Sequence, residues 1–372
     1  MTRYYSSVKI LIIDNSVAYT GAFKCALNEA DILSDQHNFI FILPQESKVV
    51  SILQEKGYCV YTLPLKEISK SLFAIAKYPF YYLKNLLAVK KIVRQEKVEV
   101  VQINDFYNLL GAGIKAAGYK GKLITYVRFL PSTLPTPLRK ICTNAAQHFS
   151  DKVVAVSDAV LKQLPPHDKN IRIYDPVKLS EKIYTEELHT NHIQLLYLAN
   201  FTRGKGQEHA VEAFCKAYKK NKDLRLKFTG GDMGLAKNAA FRSELINRVK
   251  KLGLEDVVAF ENFATDVESE INSASIVLNF SEAESFSMTC LEASFYGTPV
   301  IATKCGGPEE IIAHNETGLL VVKKDVDAMT EAILDLANNP EKRLRFSMRG
   351  KQYVREKFSI EVFKKSFTEI LR

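Results

Sequence analysis

Residues 280–312 read FSEAESFSMTCLEASFYGTPVIATKCGGPEEII, and this stretch contains a loop, a short helix and a strand in succession. The apolar segment that leads into it has the composition of a buried strand and ends in the polar loop. The helix is predicted to open near Ser287, and Gly297 with Pro299 marks the turn into a second apolar strand, residues 300–303. Strands joined by a helix in this way are typical of a parallel α/β sheet.

Two carboxylates and a helix N-terminus come together in this unit. Glu284 lies in the loop before the helix, and Glu292, eight residues later, lies about one turn inside it. The backbone amides at the helix start have no acceptor within the helix, and such amides bind phosphate well. Those amides belong to Phe286, Ser287, Met288 and Thr289. Because carboxylates accept hydrogen bonds from sugar hydroxyls, the arrangement predicts a site for a nucleoside-diphosphate sugar.

The same stretch resembles the donor-site motif of the retaining glycosyltransferases of family 4. That motif consists of a Glu, seven residues, a second Glu, a Gly-x-Pro turn, a Val-Ile-Ala strand and Gly-Gly-x-x-Glu. The matching residues here are Glu284, Glu292, Gly297, Pro299, Gly306, Gly307 and Glu310. The resemblance implies the GT-B fold, in which two Rossmann-like, doubly wound parallel-sheet domains face each other across a cleft that holds the active site. It also implies a nucleotide-sugar donor and retention of the anomeric configuration.

The length of the chain and its alternating pattern predict two α/β domains. The chain has 372 residues, which is enough for two hydrophobic cores. We assign residues 1–178 to an N-terminal acceptor domain and residues 179–355 to a C-terminal nucleotide-sugar domain, with the polar segment 178–191 as the linker. The resemblance further implies that a C-terminal helix, residues 356–372, crosses back to the first domain.

A second loop, NFTRGKG at residues 200–206, opens another helix. It resembles the family's basic loop that holds the donor diphosphate, and Lys205 and Gly206 match that loop in place. Asn200 occupies the position of the family's arginine, so Arg203 is the candidate that supplies the missing charge. The resemblance implies that Lys205 and Arg203 neutralise the leaving diphosphate and that Asn200 lies beside the donor.

The two acids receive different roles. Glu292 is predicted to accept hydrogen bonds from the ribose, and Glu284 to orient the transferred sugar rather than to act as a nucleophile. The Asp-Val-Asp triplet at residues 325–327 begins a predicted helix, so we interpret its acids as helix-capping residues rather than as a metal site. The chemistry is therefore expected to need no metal and no cofactor, with the nucleotide sugar as a substrate. The six cysteines show no metal-ligand spacing and are interpreted as buried thiols.

Candidate ligand-binding residues of the first half lie near the ends of predicted parallel strands, at the sheet edge that binds ligands. Thr20-Gly21 partly matches a Gly-Gly pair that family members carry near the donor phosphates, although a glycine needed only for a turn is an equal alternative. Asn104 and Arg128 end two later strands and are candidates for the acceptor side. A structural salt bridge is the alternative for Arg128.

The net charge of +9 is distributed unevenly. Residues 1–178 hold 24 Lys and Arg against 14 Asp and Glu, whereas the rest of the chain is nearly balanced. A basic half suits nucleic acid, an anionic membrane or an anionic substrate. No nucleic-acid-reading motif accompanies it, so nucleic acid is not expected as a partner.

One segment of the basic half combines aromatic and aliphatic residues with lysines. Residues 71–93 read SLFAIAKYPFYYLKNLLAVKKIV, with Pro79 predicted to start a new helix. Lysines recur there every seven residues, which keeps them near one face. They are Lys77, Lys84 and Lys91. Such a face suits an anionic membrane surface, and a core helix with a solvated lysine stripe is the alternative.

Together these observations predict a metal-independent, retaining hexosyl- or N-acetylhexosaminyl-type glycosyltransferase of cell-surface polysaccharide or glycolipid assembly. The predicted acceptor is a glycan or a lipid-linked glycan. Because no signal peptide is evident, the predicted location is the cytoplasm, with the inner face of the cytoplasmic membrane as an alternative. A nucleotide-sugar epimerase, a phosphorylase and an inactive GT-B binding subunit remain alternative functions. The base and sugar of the donor are left open.

Overall fold

The computed structural model describes residues 7–65, 72–177 and 192–372, and it leaves out the side chains of residues 72–77. The chain divides into two compact units, Met1–Lys178 together with Ile360–Arg372, and Leu179–Ser359. The second unit thus ends at Ser359, four residues beyond residue 355, where the sequence predicts its end. The predicted linker, residues 178–191, lies outside the described residues.

The first unit is a parallel sheet covered by helices. Its strands are β1 (Lys9–Ile13), β2 (Asn38–Pro44), β3 (Cys59–Leu63), β4 (Val100–Ile103), β5 (Lys122–Val127), β6 (Lys152–Ala155) and β7 (Asn170–Arg172). Its helices are α1 (Gly21–Leu33), α2 (Val50–Glu55), α3 (Leu72–Gln95), α4 (Leu110–Ala116), α5 (Thr136–Phe149) and α6 (Asp158–Leu161), with a 3-10 turn at Pro131–Thr133. Within the described residues the strand order is β3-β2-β1-β4-β5-β6-β7.

The second unit repeats this plan. Its strands are β8 (Ile193–Leu198), β9 (Leu224–Thr229), β10 (Val258–Glu261), β11 (Ile276–Asn279), β12 (Val300–Thr303) and β13 (Gly318–Val321). Its helices are α7 (Gln207–Lys220), α8 (Ala236–Lys251), α9 (Val267–Asn272), α10 (Met288–Tyr296), α11 (Pro308–Ile311), α12 (Val326–Ala337) and α13 (Pro340–Lys357). The strand order is β10-β9-β8-β11-β12-β13, again parallel throughout.

The last helix, α14 (Ile360–Leu371), belongs to the first unit. Lys122 at the start of β5 donates a hydrogen bond from Nζ to the carbonyl of Ile370 at 3.0 Å. The ring of Phe367 lies 6.4 Å from that of His37, between the centroids. The end of the chain is therefore anchored on the first sheet.

The predicted doubly wound parallel sheets are confirmed in both units. Each sheet reverses its strand order beside its first strand, between β1 and β4 and between β8 and β11. Ligands of such sheets bind at the carboxyl ends of the strands where this reversal occurs. The loops that follow these strands are thus the first places to search for a site.

The prediction for Pro79 is wrong. Helix α3 runs without interruption from Leu72 to Gln95 with Pro79 inside it. Proline lacks an N–H and weakens one turn of a helix, but packing of the remaining turns can override this local cost. Among the described residues, no helix has the length and the apolar composition required to span a bilayer.

Candidate active site

The loops after β8 and β11 meet at the reversal point of the second sheet. Lys205 Nζ, from the first loop, lies 2.7 Å from Glu284 Oε1, from the second. Ser281 Oγ donates a second hydrogen bond to the same carboxylate oxygen, also at 2.7 Å. The side chain of Lys205 is 36% exposed and that of Glu284 is 13% exposed, so the ammonium remains accessible to a ligand. The two residues that the sequence analysis took from separate motifs are therefore brought together.

A tyrosine in β8 fixes the backbone of Lys205. The buried Tyr197 hydroxyl donates to the carbonyl of Lys205 and accepts a hydrogen bond from the amide of Phe280 at 2.8 Å. Gly206 has a φ of 79°, and a Cβ at this position would clash with the carbonyl of Phe280. Glycine is therefore required both by the backbone conformation and by the close approach of the two loops.

The ion pair keeps Lys205 charged. Burial by itself would lower the pKa of Lys205, but the charge and hydrogen bond of Glu284 outweigh it and raise the pKa above its ordinary value. A charged ammonium next to a helix start is suited to a diphosphate, which carries negative charge at neutral pH.

Helix α10 opens where the sequence predicts. Ser287 is its N-cap, and Ser287 Oγ accepts a hydrogen bond from the amide of Cys290 at 3.4 Å. Asn279 at the end of β11 donates from Nδ2 to the same hydroxyl at 3.0 Å, which ties the helix start to the strand end. Met288 and Thr289 occupy the first turn, where the helix supplies no acceptor for the amides. The Ser287 hydroxyl thus serves as the cap, and the amides at the helix start remain the candidates for binding phosphate.

The Gly-Gly turn after β12 holds the Glu284 loop in place. Glu284 donates its amide to the carbonyl of Cys305 at 3.1 Å, and Gly307 donates its amide to the carbonyl of Glu284 at 2.9 Å. A Cβ at Gly307 would clash with the backbone of Phe286. The glycine therefore permits the close packing that positions Glu284 and the start of α10.

Glu292 lies on α10 and is 7% exposed. Thr289, one turn earlier, donates from Oγ1 to the carbonyl of Leu198 at 3.2 Å, so this side of α10 faces the end of β8. Asn200 follows that strand, and its Oδ1 accepts a hydrogen bond from the amide of Gly231 at 3.2 Å. Asn200 thereby connects the Lys205 loop to the turn after β9.

Arg203 does not join the Lys205–Glu284 pair. Its guanidinium lies 2.5 Å from Glu244 Oε2 on α8 and 4.8 Å from the ring centre of Phe241. The side chain is 67% exposed. The loop thus directs this side chain along α8, and its role at the diphosphate stays a prediction.

The first unit contains a buried polar cluster at the ends of β4 and β5. Arg128, whose side chain is 1% exposed, pairs with Glu29 on α1 at 3.1 Å and with Asp175 after β7. Its Nε donates to Asn104 Oδ1 at 2.7 Å, and Asn104 Nδ2 in turn donates to Asp14 after β1. Both candidates for the acceptor side are thus occupied by structural contacts. These contacts favour the salt-bridge alternative for Arg128, while the acceptor-side roles of Asn104 and Arg128 stay predictions.

Gly21 is the first residue of α1. Thr20 caps that helix, because its Oγ1 accepts a hydrogen bond from the amide of Phe23 at 3.1 Å. A Cβ at Gly21 would meet nothing within 4 Å. Neither the conformation nor the packing of the described chain requires glycine here. The position therefore leaves open space in front of α1, as a ligand contact would need.

One group of side chains near the Lys205 loop has the composition of a cation site. Glu208, His209 and Glu282 each offer a ligand atom, and these atoms lie within 4.8 Å of one another. Lys324 Nζ lies 2.8 Å from Glu282 Oε2 and already supplies positive charge there.

In the triplet 325–327, Asp325 caps α12 as predicted, because its Oδ1 accepts a hydrogen bond from the amide of Ala328 at 2.9 Å.

The residues that support these two clusters carry no recognisable signal in the local sequence. Tyr197 lies inside an apolar strand, where periodicity predicts only core. Glu29 lies on an amphipathic helix and pairs with Arg128 across a separation of 99 residues, which no local pattern encodes.

Several known proteins are similar to this chain. A family model described as glycosyl transferases group 1 matches residues 181–353. N-acetyl-alpha-D-glucosaminyl L-malate synthase of Bacillus anthracis is 24% identical over 314 residues, which cover 79% of this chain and 80% of that protein. The alpha-1,3/1,6-mannosyltransferase ALG2 of Dictyostelium discoideum is 29% identical over 213 residues, which cover 54% of this chain and 48% of that protein.

A solved structure covers nearly the whole chain. HepE of Anabaena, crystallised in complex with UDP and glucose, superimposes with a TM-score of 0.83 at 19% identity and covers 98% of this chain and 99% of its own. The similarity establishes the GT-B fold, as predicted. Residues 181–353 therefore form a glycosyl transferases group 1 domain.

Proposed function

We propose that the enzyme transfers a hexosyl or N-acetylhexosaminyl group from a nucleoside-diphosphate sugar to an acceptor hydroxyl, with retention of the anomeric configuration. The observation that carries this proposal is the 2.7 Å pair between Lys205 and Glu284. It combines a fixed positive charge for the diphosphate with a fixed carboxylate for sugar hydroxyls. The same loop joins this pair to the amides at the start of α10.

The chemical role of the phosphate site is to stabilise the leaving group. As the bond between the anomeric carbon and the diphosphate oxygen breaks, negative charge grows on the diphosphate. The Lys205 ammonium and the first-turn amides of α10 are oriented before the reaction, so they stabilise that charge without reorganising. Glu292 would bind the ribose hydroxyls and hold the nucleotide in register.

Glu284 is proposed to orient the sugar. Lys205 Nζ and Ser281 Oγ both donate to Glu284 Oε1. A carboxylate oxygen that accepts two hydrogen bonds is a poor nucleophile, because both bonds stabilise its negative charge. Hydrogen bonding to the hydroxyls of the transferred sugar is the role that this environment favours.

We propose a glycan or lipid-linked glycan as the acceptor, in cell-surface polysaccharide or glycolipid assembly. The basic first domain would hold it, at the inner face of the cytoplasmic membrane. The names of two relatives support the donor class, since one contains an N-acetylglucosaminyl group and the other is a mannosyltransferase. The Anabaena structure, which contains UDP and glucose, supports a nucleotide-linked hexose.

A donor panel tests this proposal. UDP-, GDP- and ADP-linked sugars are incubated with the purified enzyme, and release of nucleoside diphosphate and the fate of the sugar are measured. We expect one donor to be hydrolysed slowly in the absence of acceptor, equally with and without excess EDTA, since Lys205 and the α10 amides neutralise the diphosphate. A Glu284→Gln variant, prepared identically, controls for contaminating hydrolases. Turnover of no donor, an epimerised sugar nucleotide, or activity that EDTA abolishes and Mn²⁺ restores would each contradict the proposal.

Replacing Glu292 tests the nucleotide contact. We expect Glu292→Ala to raise the KM for the donor by roughly 10-fold or more, because a hydrogen bond to a charged group contributes about 1.5–3 kcal/mol. The kcat should change less, since the ribose does not react. Glu316→Ala, at an exposed position of the same domain, is the matched control. An unchanged donor KM in a Glu292→Ala variant of normal thermal stability would refute the ribose role.

A further inference from the structure

Helix α3 presents an apolar stripe to solvent. Phe80 is 70% exposed, Leu83 is 56% exposed and Leu87 is 60% exposed. At 100° per residue these three side chains fall within a 60° sector of the helix. The opposite side of the helix is packed, with Val89 fully buried and Ile92 nearly so. Three large apolar residues on one exposed face are more than the scattered single residues of an ordinary surface.

Basic residues flank this stripe. Lys84, Lys90, Lys91 and Arg94 are exposed and project within the same third of the helix circumference. None of these four makes an ion pair with a residue that the structure describes. Helix α3 contains no Asp or Glu over its 24 residues. Its charge is therefore entirely positive and uncompensated on the helix itself.

The two helices that follow α3 add no negative charge to this part of the first unit. Helix α3 packs on α4 through Tyr82, whose hydroxyl donates to the carbonyl of Leu109 at 3.1 Å. Helix α4 packs in turn on α5, where Ile141 is 56% exposed beside the exposed Lys140. Neither α4 nor α5 contains an acidic residue. We call the exposed Phe80, Leu83 and Leu87 of α3, together with its exposed Lys84, Lys90, Lys91 and Arg94, the basic face.

We propose that the basic face docks on the surface of an anionic lipid bilayer. Lysines and an arginine beside exposed Phe and Leu side chains are the pattern of helices that lie in the membrane interface, with the apolar residues inserted among acyl chains and the basic ones at the headgroups. A second copy of the chain is a poorer occupant, because a two-fold contact would bring the same positive charges together. Nucleic acid is also a poorer occupant, since it offers the leucines nothing to bury against.

Membrane docking and donor binding involve different residues, so either proposal can fail without the other. The basic face lies on the first unit, whereas Lys205, Glu284 and Glu292 lie on the second. Loss of membrane binding is therefore expected to leave hydrolysis of a soluble donor unchanged.

Flotation with lipid vesicles tests the proposal. Full-length protein is mixed with vesicles of phosphatidylcholine alone or of phosphatidylcholine with about 30% phosphatidylglycerol, at low and high salt. We expect at least about 10-fold stronger partition to the anionic vesicles, and a decline at high salt because the Debye length shortens. Partition should fall at least about 10-fold in both Lys84→Glu/Lys91→Glu and Phe80→Ser/Leu87→Ser, since charge and insertion both contribute.

Matched controls keep the test specific. Lys250→Glu/Lys251→Glu makes the same charge change on exposed residues of α8, and Leu344→Ser/Met348→Ser makes a similar apolar change on α13. Both controls should float like the parent protein, and all variants should retain the parent melting temperature. Equal recovery with both vesicle types, recovery with neither, or undiminished flotation of the basic-face variants would overturn the proposal. A dimer that the basic-face variants dissociate, without vesicle binding, would overturn it in favour of self-association.

Discussion

We expect Lys205→Ala to lower the kcat for the preferred donor by roughly 10²–10³-fold. Removal of one preorganised donor from a developing anion typically has an effect of this size. Lys205 is the charged donor of this site, and its Nζ is held at 2.7 Å from Glu284 before any ligand arrives. The variant also leaves Glu284 without its positive partner, so donor binding should weaken because the carboxylate then repels the diphosphate.

Steady-state kinetics on the donor found in the panel measures this effect. Lys324→Ala is the matched control, because Lys324 pairs with Glu282 in the adjacent loop and its side chain is 60% exposed. The kcat of Lys324→Ala should stay within a few-fold of that of the parent enzyme, as expected for the loss of an exposed ion pair. Near-normal turnover of Lys205→Ala, with the fold intact by circular dichroism, would mean that the diphosphate is bound elsewhere.

The second large effect is on stability. We expect Arg128→Ala to lower the free energy of unfolding of the first unit by about 3–5 kcal/mol, because removal of one partner of a buried ion pair leaves the other charges uncompensated. Arg128 pairs with Glu29 and Asp175, and all three side chains are 4% exposed or less. Had Arg128 served an acceptor, the same change would alter acceptor kinetics and leave stability nearly intact.

This destabilisation should depend on pH. Burial raises the pKa of Glu29 to about 7 and outweighs the opposing charge of Arg128, with Gln102, Asp175 and Tyr126 also facing the carboxyl group. A folded pKa above the ordinary value of 4.5 means that Glu29 contributes stability below about pH 4.5, and that this contribution is lost as the pH rises through 7. Without Arg128 the ionised form is disfavoured further. The loss of stability should therefore be larger at pH 8 than at pH 6.

Urea denaturation at these two pH values provides the measurement. Arg172→Ala is the control, because Arg172 forms a partly exposed pair with Asp158 at 3.1 Å in the same unit. The decrease in the free energy of unfolding caused by Arg172→Ala should stay below about 1 kcal/mol and vary little with pH. Equal unfolding midpoints for Arg128→Ala and the parent protein at pH 8 would show that the buried cluster does not stabilise the fold.

Sequence patterns that repeat over a few residues predicted much of this protein. The apolar strands and intervening helices give both doubly wound sheets, and Ser287 caps α10 where the motif indicates. The approach of Lys205 to Glu284 also follows, because strands β8 and β11 are neighbours and both loops leave from their carboxyl ends.

Directions of side chains that depend on distant elements were not predictable. Arg203 lies in the predicted loop, yet its guanidinium turns to Glu244 on α8, which the loop sequence does not encode. Arg128 is enclosed by groups 99 and 47 residues away along the chain. The prediction for Pro79 is wrong for the opposite reason. A local rule, that proline starts a helix, was overridden by the rest of a long helix.

The central claim is that the loop pair after β8 and β11 binds the donor diphosphate. A crystal structure of the full chain with a nucleoside diphosphate, UDP first, tests it most directly. We expect phosphate oxygens within hydrogen-bond distance, about 3 Å, of Lys205 Nζ and of the amides of Met288 and Thr289, with the ribose hydroxyls on Glu292. A nucleoside diphosphate bound away from residues 284–292 would contradict the account.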